Sequence, residues 1–171
     1  VVKADILSED TNGQCQIRTT VIDSEGNVVA TKTSEMVDYN PSAKLTIVDT
    51  VHVPNVNLWS IDNPYLYTIR QELIAEPNAS TEGPKVVDVV ETEYGFRWFE
   101  FKKVDPENVY NSGGFYLNGE YIKLQGVDLH HDNGALGAAS NLDASMRKFK
   151  KLKEMGVNAY RTSHNPPPKE D

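Results

Sequence analysis

The stretch Gly126–Asn165 decides the fold class of the second half of the chain. It opens with GVDLHHDNGALG at Gly126–Gly137 and closes with VNAYRTSHN at Val157–Asn165. Each run starts with β-favouring residues and ends in polar, His-containing sequence, which predicts two strands with one helix between them. Because α/β barrels build their active sites at the carboxyl ends of their strands, we interpret this stretch as part of a binding or catalytic site.

The segment between the two runs predicts one amphipathic helix. Its apolar residues recur at spacings of four, three, three and three: Leu142, Met146, Phe149, Leu152 and Met155. Ser140, followed three residues later by Asp143, has the character of a capping box, so we expect Ser140 to be the N-cap. Gly156 suits the position just past the helix end, and Val157–Tyr160 is the predicted next strand.

A β-hairpin is predicted immediately before this unit. Phe115–Leu117 and Tyr121–Leu124 flank Asn118-Gly119, a pair that readily supplies the positive φ angles of a type I′ turn. Gln125–Leu129 is expected to continue the second strand of the hairpin. One helix and two parallel strands cannot close a barrel that needs eight of each, so we expect only its opening piece.

The first half of the chain alternates short β-favouring runs with turn signals. The predicted strands are Val1–Leu7, Gln14–Asp23, Val28–Thr33, Lys44–Val53, Tyr65–Ala75 and Val86–Phe101. This pattern predicts an immunoglobulin-like antiparallel β-sandwich. We therefore expect a mainly β chain with a sandwich at 1–101, a linker at 102–112, and at 113–171 a hairpin and β-α-β fragment of a (β/α)8 barrel.

The composition indicates a soluble globular protein and disfavours nucleic acid as a partner. A net charge of −8 and a pI near 5.0 disfavour a nucleic-acid surface, which needs clustered cations. No apolar run approaches the roughly 20 residues that cross a bilayer. Cys15 is the lone cysteine and is expected to be buried; a single thiol leaves the cellular location unknown. The start at Val1, inside a β pattern, suggests a piece of a longer or processed chain.

The residues that could carry chemistry follow the two strand ends. They are His130, His131, Asp132, Arg161 and His164. Imidazoles and a guanidinium there could donate hydrogen bonds to sugar hydroxyls or hold a carboxylate in its ionised form. Metal binding is the competing use, but adjacent His130 and His131 point to opposite faces of an extended chain, which disfavours a shared ion. Asp128 and Asp132 follow the same strand and make a poor glycosidase pair.

Four motifs together closely resemble glycoside hydrolase family 2, and within it the β-galactosidases. They are LWSIDNPYLY at Leu58–Tyr67, YGFR at Tyr94–Arg97, FYLNGEYIKLQGVDLHHDNGALGAA at Phe115–Ala139 and LKEMGVNAYRTSHNPP at Leu152–Pro167. The resemblance implies a sandwich followed by the start of a catalytic barrel. It implies that His130 and His164 contact the sugar and that Arg161 steadies the catalytic nucleophile. Asp128 stands where many members have Asn.

The resemblance further implies a retaining exo-glycosidase that hydrolyses terminal β-galactosides. Its acid/base and nucleophile are Glu residues on later barrel strands, so we expect no catalytic residue within these 171 residues and no activity of the chain alone. The sequence of this chain indicates no cofactor. It neither indicates nor excludes a divalent or sodium ion in the longer parent enzyme. Alternatives are a β-glucuronidase or β-mannosidase of the same family, or a non-enzymatic module that binds carbohydrate or protein. The apolar helix face is expected to pack on the sandwich, to form a homo-oligomer, or to be partly disordered.

Overall fold

A computed structural model describes residues 1–9, 11–77, 83–107 and 113–167. The chain forms two compact units, Val1–Arg97 and Trp98–Asp171. Residues 108–112 of the predicted linker and 168–171 of the predicted barrel piece lie outside the described residues. Both units are built mainly from antiparallel strands, which confirms the mainly β class.

The first unit contains seven described strands in two sheets. The strands are β1 (Val2–Ile6), β2 (Gly13–Ile22), β3 (Val28–Thr33), β4 (Val37–Tyr39), β5 (Leu45–Asp49), β6 (Tyr67–Pro77) and β7 (Lys85–Tyr94). One sheet has the order β3-β2-β6-β7, with β4 also pairing with β2, and the other consists of β1 and β5. All of these pairings are antiparallel, as the sequence predicts.

Strand β2 forms the centre of the sandwich because its side chains alternate strictly. Cys15, Ile17, Thr19 and Val21 are buried, whereas the residues that alternate with them are only half-buried. Together with Ile6 of β1 and Ala75 of β6, Cys15 and Ile17 form the core cluster between the two sheets. The buried position of Cys15 confirms the expectation, and desolvation raises the pKa of its thiol. This facing pair of sheets confirms the predicted sandwich.

The last predicted sandwich strand, Val86–Phe101, is wrong as one element. Strand β7 ends at Tyr94, and Phe99–Lys102 forms a separate strand of the second unit. The break has a packing cause, since the main chain at Phe96 leaves the ladder and accepts a hydrogen bond from the Trp59 amide at 2.9 Å. The Arg97 guanidinium lies over the Trp59 ring, 5.1 Å from its centroid. The LWS and YGFR motifs therefore meet within the first unit.

Gly95 is needed at this break because Trp59 occupies the space of a side chain. A Cβ atom on Gly95 would lie 2.7 Å from Cδ1 of Trp59. We expect Gly95→Ala to lower the free energy of unfolding by about 1–3 kcal/mol through overpacking. Urea unfolding measures this change, and a Trp59→Ala background is the control. A Gly95→Ala penalty that persists without the indole would contradict the steric explanation.

The described residues of the second unit form two small sheets and one α-helix. Strands β8 (Phe99–Lys102), β9 (Gly114–Leu117) and β10 (Glu120–Ile122) form an antiparallel sheet in the order β10-β9-β8. Strand β11 (Gly126–Leu129), helix α1 (Leu142–Glu154) and strand β12 (Ala159–Thr162) form the β-α-β unit, in which β11 and β12 are parallel. A short 3-10 turn at Gly134–Leu136 lies in the loop after β11. The β-α-β prediction is therefore confirmed.

The hairpin is confirmed, but its predicted continuation is wrong. Asn118 and Gly119 have φ angles of 52° and 86°, so both central residues take the left-handed conformation. Gln125–Leu129 does not continue β10, which ends at Ile122. The Asn158 side chain interrupts the strand: its Oδ1 accepts from the Gln125 amide at 2.8 Å, and its Nδ2 donates to the Lys123 carbonyl at 3.0 Å.

The N-cap of helix α1 lies one residue later than predicted. The N-cap is Asn141, whose Oδ1 accepts hydrogen bonds from the amides of Asp143 at 3.0 Å and Ala144 at 3.3 Å, so the assignment to Ser140 is wrong. Gly156 follows the helix with a φ of 85°, as predicted.

Much of the predicted apolar face of helix α1 is exposed to solvent, since Met155 is 75% exposed. In the described part of the chain, helix α1 is too short and too polar to cross a membrane.

Candidate active site

The register of the parallel pair places two charged side chains side by side. Asp128 of β11 is the direct partner of Arg161 of β12, so both side chains project from the same face of the sheet. Arg161 Nη1 donates to Asp128 Oδ2 at 2.9 Å. The Arg161 and Asp128 side chains are 68% and 48% exposed, so the ion pair faces solvent.

Ser163 ties the end of β12 to the same carboxylate. Its hydroxyl donates to Asp128 Oδ1 at 2.8 Å, and its amide donates to the Leu129 carbonyl at 2.8 Å. Ser163 is only 2% exposed, unlike the residues that follow it. The Ser163 hydrogen bond is the main cause that holds the pKa of Asp128 below its ordinary value, with the positive charge of Arg161 acting in the same direction. Asp128 is therefore ionised at neutral pH.

The two histidines at the strand ends meet as a pair. The ring centroids of His130 and His164 lie 5.6 Å apart with an interplanar angle of 47°. His164 has a φ of 62°, and the Asn165 amide donates to the Ser163 carbonyl at 2.7 Å across it. A left-handed conformation costs a non-glycine residue about 1–2 kcal/mol. Residues held in such conformations cluster at functional sites, which favours a role for this turn.

His131 and Asp132 do not join this cluster. Asp132 Oδ1 accepts from the Gly134 amide at 3.2 Å and so organises its own loop. The Nε2 atom of His131 is buried and has no hydrogen-bond partner among the described residues. Among the described ranges, no group of three or more His, Cys, Asp or Glu side chains is arranged to hold a metal ion.

This arrangement suits ligand binding and charge stabilisation better than bond cleavage. His130 and His164 present ring nitrogens at an exposed edge, and Arg161 presents a cation beside them in the sheet. The nearby carboxylates are already engaged, Asp128 by Arg161 and Ser163, and Asp132 by the loop amide. A hydrolytic acid and base must therefore come from outside these two strand ends if the site acts on a glycosidic bond.

The sequence predicts His130, His164 and Arg161 as site residues but does not reveal how they are held. Asp128 was predicted neither to hold Arg161 nor to contact Ser163, and Ser163 was not predicted as a site residue. The available signal was a carboxylate in GVDLHHD and a hydroxyl in RTSHN on neighbouring parallel strands. Their contact depends on the register between β11 and β12, which neither motif shows alone.

Polar side chains gathered at the carboxyl ends of parallel strands define the arrangement of α/β barrel enzymes. Comparison with known families gives two successive matches: glycosyl hydrolases family 2 over residues 1–97, and the TIM barrel domain of the same family over residues 108–170. The chain belongs to glycosyl hydrolases family 2. The predicted order of a sandwich followed by the start of a catalytic barrel is thereby confirmed.

Individual relatives carry two different activities in their names. The chain is 38% identical over 163 residues to the β-galactosidase BoGH2A of Bacteroides ovatus, covering 95% of this chain and 17% of the relative. It is 33% identical over 148 residues to a putative β-glucuronidase of Formosa agariphila, covering 86% of this chain and 12% of the relative. The chain thus spans less than a fifth of the length of either protein.

Solved structures show the same fold. A family 2 glycosyl hydrolase from Bacteroides cellulosilyticus superposes with a TM-score of 0.81 at 35% identity, covering 98% of this chain and 21% of the other. A β-glucuronidase from Bacteroides uniformis superposes with a TM-score of 0.76 at 24% identity, covering 98% of this chain and 19% of the other, which supports the fold alone.

Proposed function

We propose that the chain is the sandwich and the first barrel strands of a retaining exo-glycosidase that hydrolyses terminal β-galactosides. The observation that carries the proposal is the grouping of His130, His164 and Arg161 at the carboxyl ends of β11 and β12. The similarity to BoGH2A supports the choice of a galactoside. A Glu pair from later strands of the parent enzyme would supply the acid/base and the nucleophile.

In this proposal the chain's own residues bind the sugar and shape its electrostatics. His130 and His164 hydrogen-bond to sugar hydroxyls, and their contacts strengthen as charge develops on the ring in the transition state. Arg161 lies beside them and keeps the nucleophilic carboxylate ionised, because a nearby cation lowers the pKa of a carboxyl group. The side chains act from two rigid strands, which fixes their positions relative to each other.

A β-glucuronidase is the second candidate, since Formosa relatives named for that activity cover most of this chain. A panel of aryl glycosides assayed with the parent enzyme separates the two. We expect hydrolysis of the β-galactoside by the parent and none by the purified 171-residue chain, because the proposed Glu pair belongs to later strands of the parent enzyme. Cleavage of the glucuronide alone would favour the second candidate.

Two results would overturn the proposal altogether. One is hydrolysis by the isolated chain at a rate that survives repurification. The other is unchanged turnover by the parent enzyme when His130 and His164 are both replaced by Ala, because a non-enzymatic role of this unit predicts that result. Circular dichroism of the double variant serves as the control, since both rings are exposed and their removal should leave the fold intact.

A further inference from the structure

The carboxylate of Asp128 accepts hydrogen bonds from two side chains at the end of β12, those of Arg161 and Ser163. Its Oδ2 atom accepts from Arg161 Nη1 at 2.9 Å, and its Oδ1 atom accepts from the Ser163 hydroxyl at 2.8 Å. Arg161 Nη1 also reaches the Ser163 oxygen at 3.4 Å, which closes a three-membered polar network. Both carboxylate oxygens are thus in use within the described part of the chain.

The Ser163 hydrogen bond acts on His164 through the main chain. Ser163 immediately precedes His164, and its carbonyl accepts from the Asn165 amide at 2.7 Å across the left-handed residue. A left-handed histidine persists only if its surroundings hold it there. Buried Ser163, fixed by Asp128 and by the Leu129 carbonyl, is the anchor on the N-terminal side of this turn.

The Arg161 hydrogen bond orients the guanidinium while leaving part of it open. Among the described residues only Nη1 of Arg161 makes a hydrogen bond. The planar fork offers further N–H donors on its other nitrogens. Asp128 therefore binds the Nη1 side of the guanidinium, and the N–H groups on the other nitrogens can donate to a second carboxylate.

We propose that Asp128 is a positioning residue, whose carboxylate simultaneously orients the Arg161 guanidinium and anchors the Ser163–Asn165 turn that presents His164. The inference rests on the proposed function for its catalytic consequence but not for its structural one. The ion pair between Asp128 and Arg161 is exposed, and exposed ion pairs contribute little to the free energy of unfolding. Asp128 should therefore matter more for geometry than for folding.

The first experiment uses the 171-residue chain and needs no activity. Nuclear magnetic resonance should show the carboxyl pKa of Asp128 below its ordinary value, and Ser163→Ala should raise it. The charged or titratable groups that act on this carboxylate in the described residues are Arg161 on β12 and His130 at the end of its own strand. Asp128→Ala should shift the side-chain resonances of both Arg161 and His164, whereas Asp88→Ala on the exposed strand β7 should shift neither.

The second experiment measures kinetics in the parent enzyme. Asp128→Ala should lower kcat/KM about 10- to 100-fold, since misplacing a supporting group by about 1 Å costs up to that much. The loss should fall mainly on kcat, because Arg161 would serve the nucleophile in the transition state. Asp128→Asn keeps the shape and one acceptor oxygen, so it should retain part of this rate. The melting temperature of either variant should change by less than about 4 °C.

The two experiments fail in distinguishable ways. Unmoved Arg161 and His164 resonances in Asp128→Ala would overturn the positioning role whatever the enzyme hydrolyses. Moved resonances together with wild-type kcat/KM would overturn its catalytic consequence. A parent enzyme that cleaves no glycoside would overturn the proposed function, while the resonance shifts would still establish Asp128 as the residue that holds the turn.

Discussion

Replacement of Arg161 by Ala in the parent enzyme is expected to lower kcat/KM by about 100- to 1000-fold. In the proposed function, the guanidinium stabilises a carboxylate that must be ionised to attack the sugar. Its removal raises the pKa of that carboxylate and withdraws a charge-assisted hydrogen bond. Steady-state kinetics on an aryl β-galactoside over a range of pH measure the effect, which should appear chiefly in kcat.

Lys150→Ala is the control for this variant. Lys150 is an exposed cation of helix α1, so its loss should change kcat/KM less than about two-fold. Thermal unfolding of both variants should be close to wild type, because Arg161 is largely exposed. An Arg161→Ala enzyme with wild-type kcat would show that the strand-end cation has no part in the reaction.

Replacement of Ile17 by Ala is expected to lower the free energy of unfolding by about 2–5 kcal/mol. Ile17 lies at the centre of β2, is 6% exposed and belongs to the core cluster between the two sheets. Truncation removes buried methyl and methylene groups and leaves a cavity that the flanking strands cannot fully close. Urea unfolding followed by fluorescence measures the change, in a domain whose total stability is about 5–15 kcal/mol.

Val48→Ala provides the comparison on the opposite sheet. Val48 of β5 is 62% exposed, so its truncation should cost less than about 1 kcal/mol. Ile17→Val, which deletes a single methylene, should fall between the two at about 0.5–1.5 kcal/mol and remains measurable if Ile17→Ala does not fold. Equal losses for Val48→Ala and Ile17→Ala would contradict the location of the core.

Short-range chemistry explains the elements that could be predicted. The Asn118-Gly119 turn, the glycine after helix α1 and the alternation of β2 each depend on residues within a few positions of one another. The choice of N-cap shows the limit of such rules, because Ser140 and Asn141 are both good caps. Asn141 takes the role since its extended backbone aims the side chain at the first free amides.

Long-range packing explains the elements that could not be predicted. Val86–Phe101 has one continuous β-favouring pattern, but Trp59, far away in the chain, interrupts it at Phe96. Gln125–Leu129 continues the β-favouring pattern of the hairpin. The side chain of Asn158, which follows helix α1 in the chain, instead forms hydrogen bonds with the Gln125 amide and the Lys123 carbonyl. In the first case a distant main-chain amide, and in the second a distant side chain, forms hydrogen bonds with backbone that the local pattern would place in the ladder.

Local sequence patterns predict the two-part architecture and His130, His164 and Arg161 as side chains of the candidate site. They can do so because side-chain alternation, helical period and strand-end position are properties of single segments. The contacts of Asp128 with Arg161 and Ser163, and the approach of the two histidine rings, depend on the tertiary structure. The physical reason is register: which residues of β11 and β12 lie opposite one another is set by the pairing of two strands separated by a whole helix.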